Sequence, residues 1–230
     1  MTDVKKKWSG RLKILGIDLS IVLLSFLAAV IIMIILVKLV FFDTGNRLDA
    51  SAFAFMGRYV SDRSTRLMEF FTLLGSHRFL VPANLLLIAY AIFIQKNTWL
   101  AIKVGAIGVS SLILMFSLKA LFNRPRPATP LLYEVPGLSF PSGHAFMSFT
   151  FFGLLIYIVF KEINRPAVRY LLAVILLVTI AMIGLSRIYL RVHYATDVAA
   201  GFSLGMIWLV ISLYGLQMIE KNKAKLPQVD

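Results

Sequence analysis

Long apolar segments separated by short polar ones dominate the sequence. A helix that crosses the hydrocarbon core of a bilayer requires about 20 mostly apolar residues, and six segments meet this requirement. They lie at residues 17–42, 79–95, 99–119, 144–160, 168–186 and 195–218. The pattern therefore predicts an all-α integral membrane protein, built as a bundle of six transmembrane helices.

The segment 43–78 is neither a span nor a plain polar loop. Phe53, Tyr59, Phe70 and other apolar residues alternate there with charged residues at roughly helical spacing. This spacing is typical of amphipathic helices that lie at a membrane interface. We therefore expect one or two amphipathic helices in this first outer loop, which either cover the bundle or form the rim where a lipid enters.

The composition changes the class of protein that the chain can be. Of its residues, 59% are hydrophobic and 15% are charged, whereas a soluble domain has about 45–50% apolar and about 25% charged residues. The polar segments between spans are short apart from 43–78, so we expect residues 1–230 to form a single membrane-embedded domain. The chain has no cysteine, which excludes disulfides, thiolate metal sites and a cysteine nucleophile.

The formal net charge of +13 is explained by the way the basic residues are distributed. If the N-terminus is cytoplasmic, most basic residues outside segment 43–78 fall on the cytoplasmic side: Lys5, Lys6, Lys7, Arg11, Lys13, Lys96, Lys103, Lys161, Arg165, Arg169, Lys221, Lys223 and Lys225. The positive-inside rule then predicts a multi-pass membrane protein with both termini cytoplasmic. Because no soluble basic domain remains, we expect no nucleic-acid binding.

Polar residues that suit chemistry are concentrated at the outer ends of the spans. They are Lys119, Arg124, Arg126, Ser142, Gly143, His144, Arg187, His193 and Asp197. Ionisable groups at membrane depth are costly and usually mark function. All of these positions fall on one face of the predicted bundle, so we expect one site on the periplasmic or extracellular side.

These residue types suit an oxyanion such as phosphate. Lysine and arginine supply positive charge and several hydrogen-bond donors, and Ser142 and Gly143 stand where a helix begins, with free backbone N–H groups. The two histidines add a possible nucleophile and a possible general acid. His193 and Asp197 are four residues apart, which predicts that they share one helical turn, with the carboxylate holding Nδ1–H and leaving Nε2 free.

Three segments carry a resemblance to a known family. They are Lys119-(six residues)-Arg126-Pro127, Pro141-Ser142-Gly143-His144 and Ser186-Arg187-(five residues)-His193-(three residues)-Asp197. Together they resemble the three-part signature of the type-2 phosphatidic acid phosphatase superfamily, within residues 119–197. The six-span frame resembles the membrane-bound lipid phosphatase branch, which includes bacterial phosphatidylglycerophosphatases B and undecaprenyl pyrophosphate phosphatases.

The resemblance implies a mechanism and assigns roles to residues. His193 attacks phosphorus to give a phosphohistidine, and Asp197 orients it. His144 protonates the leaving oxygen and then activates water. The residues implied to hold the phosphoryl oxygens are Lys119, Arg126, Ser142, Gly143 and Arg187.

We expect no metal and no cofactor, because the outer face lacks the Asp-x-Asp and His-x-x-x-His pairs that a two-metal phosphatase uses. The implied partners are the bilayer and a lipid phosphate or pyrophosphate substrate. Candidate substrates are phosphatidylglycerophosphate, phosphatidic acid, undecaprenyl pyrophosphate and lipid A phosphates. Two alternatives remain open, a lipid phosphotransferase on the same scaffold and a non-enzymatic transporter of phospholipids.

Four further polar residues have no assigned role at this stage. Arg124 belongs to a tandem copy of the Arg-Pro pair, and the spacing from Lys119 selects Arg126 as the main ligand. Arg191 stands where the family often has glycine. Contacts of Arg191, His77 or Glu134 with a substrate head group stay open.

Overall fold

The computed structural model describes residues 19–42 and 47–223. Within this part of the chain, six helices are long and apolar enough to cross a membrane: Ser20–Phe41, His77–Ile94, Thr98–Phe122, Gly143–Glu162, Pro166–Tyr189 and Ala195–Lys223. The predicted all-α bundle of six spans is thus confirmed, with ends that differ by a few residues. The basic N-terminal tail, the first residues of the predicted first span and Lys225 lie outside the described residues.

Eight α-helices are defined in the described residues. They are α1 (Leu19–Phe41), α2 (Arg47–Gly57), α3 (Asp62–Leu74), α4 (His77–Ala89), α5 (Thr98–Phe122), α6 (Gly143–Glu162), α7 (Pro166–Tyr189) and α8 (Ala195–Lys223). A π-helical segment, Tyr90–Ile94, continues α4 to the end of the second span. The alternation of direction along the chain places the end of α5, the start of α6, the end of α7 and the start of α8 at one end of the bundle.

Local signals in the sequence explain where α5 begins and ends and where α6 begins. The Asn97 side chain accepts the backbone N–H of Leu100 at 2.9 Å and caps α5, while Asn123 ends the helix with φ of 45° in the left-handed region. Ser142 caps α6 by accepting the N–H of Ala145. Such caps satisfy backbone groups that have no partner inside the helix.

Glycines on α8 allow it to lie very close to α6. A Cβ atom on Gly201 would be 2.7 Å from the carbonyl oxygen of Ser142, and one on Gly205 would be 2.7 Å from Cβ of Phe149. The N–H of Ser142 donates to the carbonyl of Asp197 at 3.0 Å. Because Gly201 and Gly205 have no side chain, α8 approaches α6 closely enough for the motif at Ser142 to contact the motif at Asp197.

The segment between α1 and α4 contains two helices, α2 and α3, as the helical spacing within residues 43–78 predicted. Both pack against the end of the bundle where the motifs meet. Phe53 and Met56 of α2 pack against the cluster around Ile188 and Val198. Ser64 on α3 shares a 2.9 Å hydrogen bond with the Tyr189 hydroxyl. The two helices cover this end of the bundle, and contact with a lipid stays a prediction.

An ion pair joins the start of α5 to the end of α8. The ammonium of Lys103 lies 2.5 Å from a carboxylate oxygen of Glu220, and the Lys103 side chain is 3% exposed. A buried ammonium is tolerated only when it is paired. This pair fixes α5 and α8 at the end far from the motifs.

The close approach of α8 to α6 can be tested by adding one methyl group. We expect Gly201→Ala to lower the free energy of unfolding by about 1–3 kcal/mol, because the new Cβ meets backbone that cannot move without separating the helices. The measurement is the apparent unfolding temperature of the detergent-purified protein.

Gly215→Ala is the matched control, because a Cβ there meets nothing within 4 Å. We expect this variant to unfold at the parent temperature or slightly above it, since alanine favours a helix over glycine by about 0.5–1 kcal/mol. Equal unfolding temperatures for the two variants would contradict the packing described for Gly201.

Candidate active site

The residues singled out in the sequence come together at one end of the bundle. Lys119 lies in the last turns of α5, His144 in the first turn of α6, Arg187 near the end of α7 and Asp197 in the first turn of α8. The loops that follow α5 and α7 carry Arg126 and His193. Hydrogen bonds and electrostatic interactions link these side chains across the motifs.

His193 is almost completely buried, with 1% of its surface exposed. The prediction that it shares a helical turn with Asp197 is wrong, because α8 begins at Ala195 and His193 lies in the loop before it. The contact between the two side chains forms nevertheless, since the loop folds back over the first turn of α8. Nδ1 of His193 lies 3.5 Å from Oδ2 of Asp197.

The neighbours of the His193 ring determine which nitrogen carries the proton. Nη1 of Arg126 lies 3.2 Å from Nε2. A guanidinium can only donate hydrogen bonds, so Nε2 is the nitrogen with the free lone pair. Nδ1 then carries the proton and faces Oδ2 of Asp197 and the hydroxyl of Ser139, which is 3.3 Å away. An imidazole in this tautomer presents Nε2 as a nucleophile.

Burial keeps the His193 ring neutral. Loss of hydration lowers its pKa to about 3, and the nearby Arg187 and Arg126 act in the same direction, against the hydrogen bond to Asp197. A protonated imidazole has no lone pair and cannot attack an electrophile. The ring is therefore in its reactive form at neutral pH.

The Asp197 carboxylate is fully buried and is held at both oxygens. Oδ1 accepts a hydrogen bond from Nη1 of Arg124 at 2.5 Å. Oδ2 accepts the hydroxyl of Ser139 and the backbone N–H of Tyr194, the latter at 2.9 Å. These bonds compensate for the burial of the charge and fix the plane of the carboxylate relative to the His193 ring.

His144 lies beside the cationic side chains and the second histidine. Its ring interacts electrostatically with the Arg187 and Arg126 guanidinium groups and with the His193 ring. Gly75, between α3 and α4, lies against the ring, because a Cβ there would be 3.2 Å from Cδ2 of His144. The His144 ring thus lies on the side of the cluster that faces the turn between α3 and α4.

The protein supplies hydrogen-bond acceptors for only some of the N–H donors on the cationic side chains of the cluster. Lys119 donates to the backbone carbonyl of Leu138, and Arg126 donates to the carbonyls of Gly137 and Val192 at 3.1 and 2.9 Å. Burial lowers the pKa of the Arg126 guanidinium, and the charge of Asp197 opposes this shift. Arg187 is 4% exposed, and its Nη1 donates to the Thr72 hydroxyl at 2.7 Å.

One donor of Arg187 is unsatisfied. Among the described residues its buried Nε–H has no hydrogen-bond partner. A buried donor without a partner is costly, which is typical of a group reserved for a ligand. Lys119 and Arg126 add two further positive charges beside this donor. The arrangement therefore suits a phosphoryl group.

Ser142 and Gly143 contribute mainly through the start of α6. The Ser142 hydroxyl accepts the N–H of Ala145 at 3.4 Å as the helix cap, so its position is set by the backbone. A Cβ on Gly143 would be 3.8 Å from Cε of Lys119, which places the lysine next to the helix N-terminus. The first N–H groups of a helix have no partner inside it and bind anions.

The side chains of Ser139, Asp49 and Thr72 contact those of the motifs and were not among the predicted site residues. Ser139 bridges His193 and Asp197, Asp49 on α2 binds Arg124, and Thr72 on α3 binds Arg187. Ser139 and Asp49 are buried. The only feature of the sequence that could have marked Asp49 as a site residue is its acidic side chain within an amphipathic segment. Nothing in the local pattern distinguishes Ser139 or Thr72.

The four residues with open roles differ in their surroundings. Glu134, Arg191 and Arg126 line a cavity of about 160 Å³ next to the cluster. Arg191 has φ of 53°, a left-handed conformation that glycine adopts most readily. His77 is exposed at the start of α4. Arg124, in contrast, is bound to two carboxylates.

Within residues 19–42 and 47–223, no group of three His, Asp or Glu side chains is positioned to hold a metal ion. The side chains that surround His193 are mainly cationic, and cations repel a metal ion while they attract phosphate.

Known proteins resemble the chain in both sequence and structure. The model of the PAP2 superfamily matches residues 99–221. Phosphatidylglycerophosphatase B of Bacillus subtilis (strain 168) is 32% identical over 146 residues, which are 61% of this chain and 70% of the relative. The region matched by the family model contains nearly all of α5 to α8 and all three motifs.

Two crystal structures have the same fold. The transmembrane PAP2-type phosphatidylglycerolphosphate phosphatase of Bacillus subtilis aligns with a TM-score of 0.75 at 22% identity, over 90% of this chain and 99% of that chain. LpxE of Aquifex aeolicus aligns with a TM-score of 0.57 at 29% identity, over 72% and 94%. The chain therefore belongs to the PAP2 superfamily, and it is a membrane-spanning phosphatase of the PAP2 type.

Proposed function

We propose that this protein hydrolyses phosphate monoesters or pyrophosphates of lipids through a phosphohistidine at His193, without a metal ion. The observation that carries the proposal is the His193 ring, which is buried, neutral and presents the lone pair of Nε2 to a cluster of cations. A nucleophile with this arrangement attacks an anionic phosphoryl group whose charge the cluster neutralises.

In the first step Nε2 of His193 forms a bond to phosphorus, and the bond from phosphorus to the lipid oxygen breaks. The hydrogen bond from Arg126 to Nε2 must open for this attack, which frees the guanidinium for a phosphoryl oxygen. His144 donates a proton to the leaving oxygen. Lys119, Arg126, Arg187 and the start of α6 at Ser142 and Gly143 stabilise the three equatorial oxygens.

In the second step water attacks the phosphohistidine, and the bond between phosphorus and nitrogen breaks. His144, now neutral, takes the proton from the water, and inorganic phosphate leaves. Asp197 keeps the Nδ1 proton of His193 in place through both steps. It also stabilises the positive charge that the ring carries while it is bonded to phosphorus.

A lipid substrate is favoured by the position of the cluster at the ends of membrane-spanning helices. One relative is a phosphatidylglycerophosphatase, which makes phosphatidylglycerophosphate the first candidate, followed by phosphatidic acid, undecaprenyl pyrophosphate and lipid A phosphates. The distribution of basic residues supports cytoplasmic termini and an active site on the periplasmic or extracellular side of the inner membrane. We take the whole chain, 1–230, as one catalytic domain.

The experiment that tests this function is phosphate release by the detergent-purified protein from a panel of these lipids, with EDTA present. We expect release by the parent protein and a loss of at least about a thousandfold in His193→Ala, because the nucleophile is removed. Lys161→Ala is the control and should retain most of the activity, since Lys161 is exposed at the end of α6 far from the cluster.

Three outcomes would contradict the proposal in different ways. Activity that EDTA abolishes would indicate a metal-dependent mechanism. Full activity in His193→Ala would remove the proposed nucleophile. Substrate loss that requires an acceptor alcohol and yields no free phosphate would identify a transferase instead.

Ser139 offers a test of how the nucleophile is held. We expect Ser139→Ala to lower kcat about tenfold with little change in KM, because a hydrogen bond to a charged group contributes about 1.5–3 kcal/mol and Ser139 contacts no substrate atom in this mechanism. Ser117→Ala, at an exposed position on α5, should match the parent. An unchanged kcat in Ser139→Ala would show that the Ser139 bridge is dispensable.

A further inference from the structure

Arg124 joins two buried carboxylates that are far apart in the sequence. Its Nη2 lies 2.9 Å from Oδ2 of Asp49 on α2, and its Nη1 lies 2.5 Å from Oδ1 of Asp197 on α8. The Asp49 and Asp197 side chains are 5% and 0% exposed, and that of Arg124 is 13% exposed. Buried charges persist only when they are paired in this way.

The remaining contacts of Arg124 also point away from the phosphoryl site. Nη1 donates a second hydrogen bond to the Thr196 hydroxyl at 2.9 Å, and the guanidinium carbon lies 4.0 Å from the centre of the Tyr194 ring. Both guanidinium amino groups are thus bound to protein atoms. Arg126, two residues later, contacts Nε2 of His193 instead.

Asp49 holds the start of α8 directly as well as through Arg124. Its Oδ1 accepts the backbone N–H of Thr196 at 2.9 Å, and its Oδ2 accepts the Thr196 hydroxyl at 2.9 Å. A carboxylate at the first turn of a helix satisfies free N–H groups and the positive end of the dipole. The turn that Asp49 caps is the one that carries Asp197.

The Asp197 carboxylate depends on this arrangement for its orientation. Arg124 binds Oδ1, which leaves Oδ2 to face Nδ1 of His193. Without the guanidinium, Oδ1 loses its charged hydrogen-bond donor, and the carboxylate is held opposite Nδ1 of His193 only through Oδ2, by Ser139 and the N–H of Tyr194.

We propose that Asp49 and Arg124 are positioning residues of the phosphatase reaction, which act through Asp197 on the His193 nucleophile. The two Arg-Pro copies then have separate tasks, since Arg126 serves the phosphoryl group and Arg124 serves the carboxylate. The first outer loop contributes Asp49, so α2 completes the catalytic site from a part of the chain outside the three motifs. This inference rests on the proposed function.

The first test compares Arg124→Gln and Asp49→Asn with Arg126→Gln on one lipid phosphate substrate. We expect the first two variants to lower kcat about tenfold or more while KM and the inhibition constant of inorganic phosphate change less than about twofold. Arg126→Gln should raise the inhibition constant, because it removes a phosphate ligand. Arg66→Gln and Glu69→Gln, at exposed positions of α3, should match the parent.

The second test asks whether Arg124 acts through Asp197. In an Asp197→Asn background, adding Arg124→Gln should change kcat by less than about twofold, because residues that act as one unit are not additive. Full multiplication of the two effects would overturn the proposal, as would a raised inhibition constant of phosphate in Arg124→Gln. An unchanged kcat in both single variants would also overturn it.

Folding is measured for each variant by size-exclusion profile and unfolding temperature. The double variant Asp49→Asn with Arg124→Gln removes both partners of one ion pair, so no charge of that pair stays buried alone. It should fold and keep the low kcat. If none of the Asp49 and Arg124 variants folds, these two residues serve folding and the proposal is wrong. A parent protein that releases no phosphate would instead overturn the proposed function.

Discussion

The contact between His193 and Asp197 depends on a loop that turns back over the start of a helix. Residues 190–194 lead away from the end of α7 and bring the His193 imidazole back to the first turn of α8, where the Asp197 carboxylate is fully buried. Both groups lose their hydration there, so the protein must supply every hydrogen bond that water would have made. Ser139, Arg124 and the N–H of Tyr194 do so, and each comes from a different position in the loops or helix ends.

The same burial sets the charge balance of the site. Lys119, Arg126 and Arg187 lie close enough to Asp197 or to one another to interact, and a single carboxylate does not neutralise them. Holding several cations together at low dielectric is unfavourable until an anion arrives. A phosphoryl group relieves this repulsion, and the relief grows as charge develops on its oxygens.

Much of this architecture could be predicted from the sequence because it depends on short-range patterns. Six apolar segments predicted six spans, and the alternating direction of the spans predicted that Lys119, His144, Arg187 and Asp197 would meet. The local conformation at His193 was predicted incorrectly, since a spacing of four residues suits a helix but does not require one. The role of Asp49 could not be predicted, because its partners lie more than 70 residues away in the chain.

The tandem Arg124-Pro125-Arg126-Pro127 run illustrates the same limit. Spacing from Lys119 distinguished the two arginines, but it gave no role to Arg124. The structure separates them by their partners, which are Asp49 and Asp197 for Arg124 and the His193 ring for Arg126. A sequence pattern indicates which residue types are near one another along the chain. Tertiary packing decides where each side chain points and which partner it binds.

The most direct test of the account is to identify the residue that becomes phosphorylated. The protein is mixed with ³²P-labelled phosphatidic acid, quenched within milliseconds and analysed for label bound to protein. We expect label on His193 that is stable to alkali and lost in acid, as a phosphorus–nitrogen bond is, and no label in His193→Ala. Label on any other residue of the active parent protein would contradict the account.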